Sequence, residues 1–149
     1  MAIADTIRTE MTTAWKAGNN QRRDALRLLI AAIENARIDL GHPLNDEETT
    51  KVLQKEAKQR RDSITEFSAA NRMDLVAKEQ GELDAIVEFL PQQMSEEELR
   101  GIVREVITEV GATSAADLGK IMRPLMARIA GRADGGAANA IAKDILAGS

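Results

Sequence analysis

Gly111-Ala-Thr-Ser-Ala-Ala-Asp-Leu-Gly-Lys-Ile-Met-Arg-Pro-Leu-Met-Ala-Arg-Ile-Ala-Gly-Arg-Ala-Asp-Gly-Gly136 reads as one capped helix between two glycine turns, and the fold follows from it. Leu118, Ile121, Met122, Leu125, Met126 and Ile129 recur at i, i+3, i+4, i+7, i+8 and i+11, a single apolar stripe on an α-helix. Lys120, Arg123 and Arg128 fall off that stripe, and Arg132 follows in the next turn. Ser114 with Asp117 three residues on supplies a capping device, and Gly131 and Gly135 end the element where another backbone can approach closely. Pro124 removes the N–H that would bond the Lys120 carbonyl and predicts a kink or a new turn. The pattern describes a docking surface, not a reaction centre.

The flanking segments carry the same helical period. Upstream, Ser95 and Glu98 form a capping-box pattern ahead of Leu99, Ile102, Val103, Val106, Ile107 and Val110, and downstream Asp134 caps a helix with Ala138, Ile141, Ala142, Ile145 and Leu146 inward. Pro91-Gln92-Gln93-Met94 lacks helix signals and reads as a domain boundary. Before it, Asn45-Asp46-Glu47-Glu48 starts a long helix to about Ala70 whose seam is Leu53, Ala57, Ile64 and Phe67. Asn71 is placed to cap the next helix, with Met73, Val76, Leu83, Ile86, Val87 and Leu90 on one face. Residues 46–90 are therefore expected to form an antiparallel hairpin projecting from two shorter helices. The first of these carries Ile3, Ile7, Met11 and Ala14, and the second Leu26, Leu29, Ile30, Ile33 and Leu40. The expected fold is all-α: residues 1–91 as a four-helix domain with a long hairpin, and residues 92–149 as a compact three-helix domain.

Composition narrows the function classes. The chain has 149 residues, 44% hydrophobic and 30% charged, with three prolines and 2% aromatics, which suits a helical protein and disfavours a β-sandwich or a platform for stacking successive bases. Without cysteine there is no disulfide, thiol nucleophile or sulfur-ligated zinc. No segment resembles a leader or a membrane span, so the expected location is cytoplasmic, with no membrane partner. A net charge of −4 weighs against nucleic-acid affinity over the whole surface, yet from Thr113 onward Lys120, Arg123, Arg128, Arg132 and Lys143 face only Asp117, Asp134 and Asp144.

Catalytic and metal chemistry finds little to stand on. His42 lies in a Gly-His-Pro turn with no fixed partner near it in sequence. Glu79 and Glu82 share a helix face without a third ligand, and pairing with cations across the hairpin explains them better than a metal. Neither a phosphate loop nor an amidase serine–lysine set can be assembled, so no catalytic residue, metal or cofactor is expected. The run from Lys55 to Arg61 reads chiefly as a solvated face with Glu47/Lys51, Glu56/Arg60 and Lys58/Asp62 paired at i, i+4, although contact with a phosphate backbone stays open. Gly119, taken as mid-helix, implies either close packing of a neighbouring helix or contact with RNA.

Leu90-Pro91-Gln92-Gln93-Met94-Ser95, paired with Gly119-Lys120-Ile121-Met122 and Gly131-Arg132-Ala133-Asp134-Gly135, resembles the YqeY family. These are small bacterial proteins whose tail is similar to the C-terminal domain of the B subunit of the glutamine-dependent aspartyl/glutamyl-tRNA amidotransferase. The likeness continues in Asn45-Asp46-Glu47-Glu48, Lys58-Gln59-Arg60-Arg61-Asp62-Ser63 and Arg72-Met73-Asp74-Leu75, so it covers nearly the whole chain. Ala130 stands where a basic residue is expected before the glycine. The resemblance implies a tail that holds tRNA, or a tRNA-processing complex, for an enzyme whose chemistry lies elsewhere, and it carries over no catalytic residue. On this expectation Lys120, Arg123, Arg128 and Arg132 contact phosphates, Gly119, Gly131 and Gly135 permit close approach, and Asp134 fixes the last helix. The alternatives are a protein–protein adaptor using residues 46–90 and an ancillary part in glutamine-dependent carbon–nitrogen ligation.

Overall fold

The computed structural model describes residues 2–148, and every regular element among them is helical. In order these are α1 (Ile3–Lys16), α2 (Asn20–Leu40), α3 (Asp46–Ala69), α4 (Met73–Val87), α5 (Glu96–Val110), α6 (Leu118–Ile129) and α7 (Gly135–Leu146), with a 3-10 turn at Ala115–Asp117 before α6. The all-α reading holds. By contact the chain divides into two compact units, Met1–Leu90 and Pro91–Ser149.

In the first unit the helix ends are fixed by local chemistry. Asn19 accepts from the Arg22 N–H at the start of α2, and Gly41 closes it in the left-handed conformation, φ 78°. Asn45 and Glu48 satisfy each other's backbone N–H groups in a full capping box at α3, and Asp46 also accepts from Ile3 N at 3.0 Å, tying the start of α1 to that of α3. Ile7, Leu26, Leu29, Leu53 and Ile86 are almost fully buried and draw all four helices into one core. The hairpin of α3 and α4 therefore does not simply project: its lower half is part of the bundle. Between Lys58 and Glu82 no residue is fully buried.

Asn71 does not cap α4; it takes a left-handed turn at φ 57°, a conformation asparagine tolerates, and the N-cap residue is Arg72, whose side chain pairs with Asp74 and caps no backbone N–H. α4 ends at Val87, before Leu90 and Pro91. Leu40 and Met73, expected in the core, are 53% and 57% exposed because they are the terminal residues of their helices, beyond the reach of a neighbour.

In the second unit Leu99, Val103 and Val106 of α5 meet Ile121, Leu125 and Ile129 of α6 and Ala138, Ile141 and Ala142 of α7. Arg100 links α5 to α7 through Asp144 at 3.2 Å. α6 runs unbroken through Pro124, so no new turn starts there. Lys120 is exposed, and water can take up the carbonyl that the proline leaves without a donor. Met126, placed on the apolar stripe, instead lies 40% exposed at its edge.

Candidate nucleic-acid interface

Where α6 ends, the chain reverses sharply. Ala130 and Gly131 both adopt positive φ, 42° and 83°, and Arg132 N donates to Ile129 O at 2.8 Å. A left-handed alanine is strained by about 1 kcal/mol. The turn is held from outside by Pro91–Met94, the segment expected to be a plain boundary. Met94 N donates to Arg132 O at 2.7 Å, and Gln93 Nε2 donates to Pro91 O at 2.7 Å and Gly131 O at 3.1 Å. Arg132 closes the clasp: its Nε donates to Gln92 O at 2.9 Å, and Nη2 reaches the Glu98 carboxylate at 3.3 Å. Two motifs separated by some forty residues thus meet at one arginine. Asp134 then accepts from Ala137 N at 3.0 Å and starts α7.

The other cations divide by position along α6. Gly119 is the second residue of the helix, not its middle, and a side chain added there would meet nothing within 4 Å, so close packing of a neighbouring helix does not account for it. Lys120 is exposed and pairs loosely with Asp117 at 3.4 Å. Backbone N–H groups of Thr113 and Ser114 hold the Asp117 carboxyl below its ordinary value, with Lys120 adding to the effect. Arg123 is exposed and has no ion pair or hydrogen bond among the described residues.

Arg128 faces α5 and bonds the carboxylates of Glu109 and Glu105, which raise its already high pKa. At Gly135 an added Cβ would lie 3.1 Å from Met126 Cε, so that methionine already uses the close approach the glycine allows. Of the eight residues singled out, the structure gathers Gly119, Lys120 and Arg123 on the open side of α6. Gly131 and Arg132 lie in the clasp, Asp134 caps α7, Gly135 sits against Met126, and Arg128 is taken up at the surface by Glu105 and Glu109.

The first unit places its charged residues differently. Arg60 does not pair with Glu56 along the helix; it turns inward, 83% shielded, and lies 2.8 Å from Glu82 and 3.6 Å from Glu79 of α4. Its position completes the seam of Leu53, Ala57, Ile64 and Phe67, as Glu79 fills the gap between Val76 and Leu83. That complementary interruption was the sequence signal for the pairing. Glu47–Lys51 and Lys58–Asp62 form at i, i+4 as expected. His42 does have a partner, Glu48 at 3.4 Å, where the turn folds back on the start of α3. Among the described residues no helix is long and apolar enough to cross a membrane.

Comparison with known proteins adds kinship. The model of the Yqey-like protein family matches residues 4–146. The chain is 36% identical over 92 residues to "Altered inheritance of mitochondria protein 41, mitochondrial" of Saccharomyces cerevisiae, covering 61% of this chain and 50% of that protein. The proteins of the same name in Clavispora lusitaniae and Lachancea thermotolerans are each 33% identical, covering 76% and 70% of this chain and 68% and 57% of theirs. The chain thus spans about half the length of the Saccharomyces relative. These yeast proteins, named as mitochondrial, correct the expectation of a bacterial, cytoplasmic protein. Lack of cysteine disfavours a disulfide framework and carries no information about kingdom or internal compartment.

Proposed function

Because the chain belongs to the Yqey-like protein family, we propose a non-catalytic accessory role, in which the second unit binds tRNA or a tRNA-handling complex. Residues 1–91 and 92–149 act as separate domains on this reading, a four-helix body with its hairpin and a three-helix RNA-binding tail. The observation that carries it is the open side of α6, where Gly119 has free space above its backbone and Lys120 and Arg123 extend into solvent. A phosphate backbone can approach the glycine while the two cations displace its counterions. Arg128 and Arg132 would first have to leave Glu105, Glu109 and Glu98, so they serve mainly to hold α6 and its following turn in place. The link to tRNA-dependent amidotransferases rests on resemblance of the tail.

Binding of this kind is salt-dependent and nearly indifferent to sequence. Bulk tRNA mixed with the full chain should form a complex at about 50 mM salt that weakens by an order of magnitude or more at about 200 mM. Absence of a complex at both conditions would overturn the proposal. A second reading, a protein–protein adaptor, has one feature in its favour. An open groove of about 380 Å³ runs between α2 and α3, lined by Leu28, Ala31, Ala32, Val52 and Gln59 among others.

A further inference from the structure

Trp15, the chain's only tryptophan, sits in the last turn of α1 with 63% of its surface exposed. A single exposed apolar residue needs no explanation. This one has a specific setting. With Met11 and Thr12 on its own helix and Arg23 and Arg27 on α2, it walls a surface cavity of about 120 Å³. Small-molecule pockets start at about 300 Å³, so this one has room for a ring or a phosphate and not for a whole cofactor.

The charge balance of the cavity favours an anion. Arg23 is held by its neighbour Asp24 at 2.9 Å, whereas Arg27 and the adjacent Lys16 have no carboxylate partner among the described residues. The two helices are joined by a tight turn, with Gly18 at φ 73° and Asn19 N bonded to Ala14 O at 2.9 Å, so the ring and both guanidinium groups stand on one braced hairpin. An accessible indole beside an uncompensated arginine is the pair of groups that takes an unstacked base and its phosphate.

We propose that Trp15, Arg23 and Arg27 form a subsite for one unpaired nucleotide of an RNA, the base on the indole and the phosphate on Arg27. One ring is no platform for successive bases; it holds one, where a loop or a strand end presents it. The site lies in the first unit and stands independently of the open side of α6.

The lone tryptophan is its own reporter. The full chain is titrated at about 20 mM salt with an eight-nucleotide single-stranded RNA, a blunt duplex of the same length, and vesicles containing phosphatidylserine. The single strand should quench Trp15 emission and the duplex should not. Arg27→Ala should weaken the quench about tenfold, and Trp15→Ala added to Lys120→Ala/Arg123→Ala should lower that variant's affinity for a labelled strand, read by anisotropy, by about tenfold, in line with the loss of one stacked base. Helicity by circular dichroism should stay unchanged, since both side chains are at the surface. Lys120→Ala/Arg123→Ala should leave the quench intact, which separates this subsite from the tail.

The proposal is overturned by an unquenched single strand, by an Arg27→Ala response equal to the wild type, or by loss of the quench in the α6 variant. A response to vesicles and not to RNA would also overturn it, and would mark the patch as a membrane contact.

Discussion

Two basic runs, Lys55–Arg61 on α3 and Lys120–Arg132 on and after α6, read much alike as sequence and fold to different ends. On α3 the arginine nearest the helix–helix seam, Arg60, is drawn under the surface between Glu79 and Glu82, and Lys58 is paired with Asp62 one turn on. On α6 the pairing across helices falls at the far end: Arg128 and Arg132 are held by acids of α5, while Lys120 keeps only a loose, exposed contact with Asp117 on its own turn and Arg123 has no partner among the described residues. The difference teaches that register against the neighbouring helix decides whether a cation braces the fold or is free to meet a ligand. Charge density alone does not.

The largest test of that contrast removes the support beneath the open face. Leu125 is fully buried at the centre of the second core, and Leu125→Ala should cost about 3 kcal/mol. For a unit this small that is much of its stability. Amide hydrogen exchange should then lose protection through α5–α7 and keep it in α1–α4; equal loss in both would show that the units are not separately cooperative. Next in size is Arg60→Ala, which strands two carboxylates that are each about 83% shielded. About 2 kcal/mol is expected from chemical denaturation, below the 3–5 of a fully buried pair because the site is partly wet. Lys55→Ala, on the same helix, should change stability by less than about 0.5 kcal/mol. A comparable loss for both would erase the distinction drawn within α3.

The smallest effect concerns how α6 begins. Asp117 titrates below its ordinary value of 3.8 because Thr113 and Ser114 N–H groups, and then Lys120, favour the carboxylate. A depressed folded-state pKa contributes stability above the unfolded value, and that contribution is lost as pH falls through the folded one. Asp117→Asn should therefore unfold more easily than wild type at pH 7, with the gap closing below about pH 3.8. A gap that is the same at pH 7 and pH 3 would mean that the charge of Asp117 does not matter.

The helices were legible from their apolar stripes, and α2, α3, α5 and α7 carry a capping side chain as well. Asn45, Ser95 and Asp134 all accept from the backbone at their helix starts. Asn71 misled because a capping residue and a left-handed turn residue are the same residue type. The site was less legible. Lys120 and Arg123 could be placed off the stripe by spacing, but the acids that occupy Arg128 and Arg132 lie on another helix, about twenty to forty residues away. Nothing local announces such a partner. The clasp was hidden for the same reason: Pro91–Met94 looks like a linker until Gly131 and Arg132 bond to it. Arg60 alone left a trace, as a polar interruption in a seam matched by one opposite.

The central claim, that the open side of α6 meets phosphate while the cations of α3 do not, is tested most directly by the salt dependence of tRNA binding in two double variants. Each displaced counterion contributes about 0.7 to 0.9 to the slope of log K against log salt. Lys120→Ala/Arg123→Ala should lower that slope by roughly 1.5 and weaken binding severalfold, and Lys55→Ala/Lys58→Ala should leave both near the wild-type values. The reverse ranking, with the α3 variant losing slope and the α6 variant keeping it, would contradict the account.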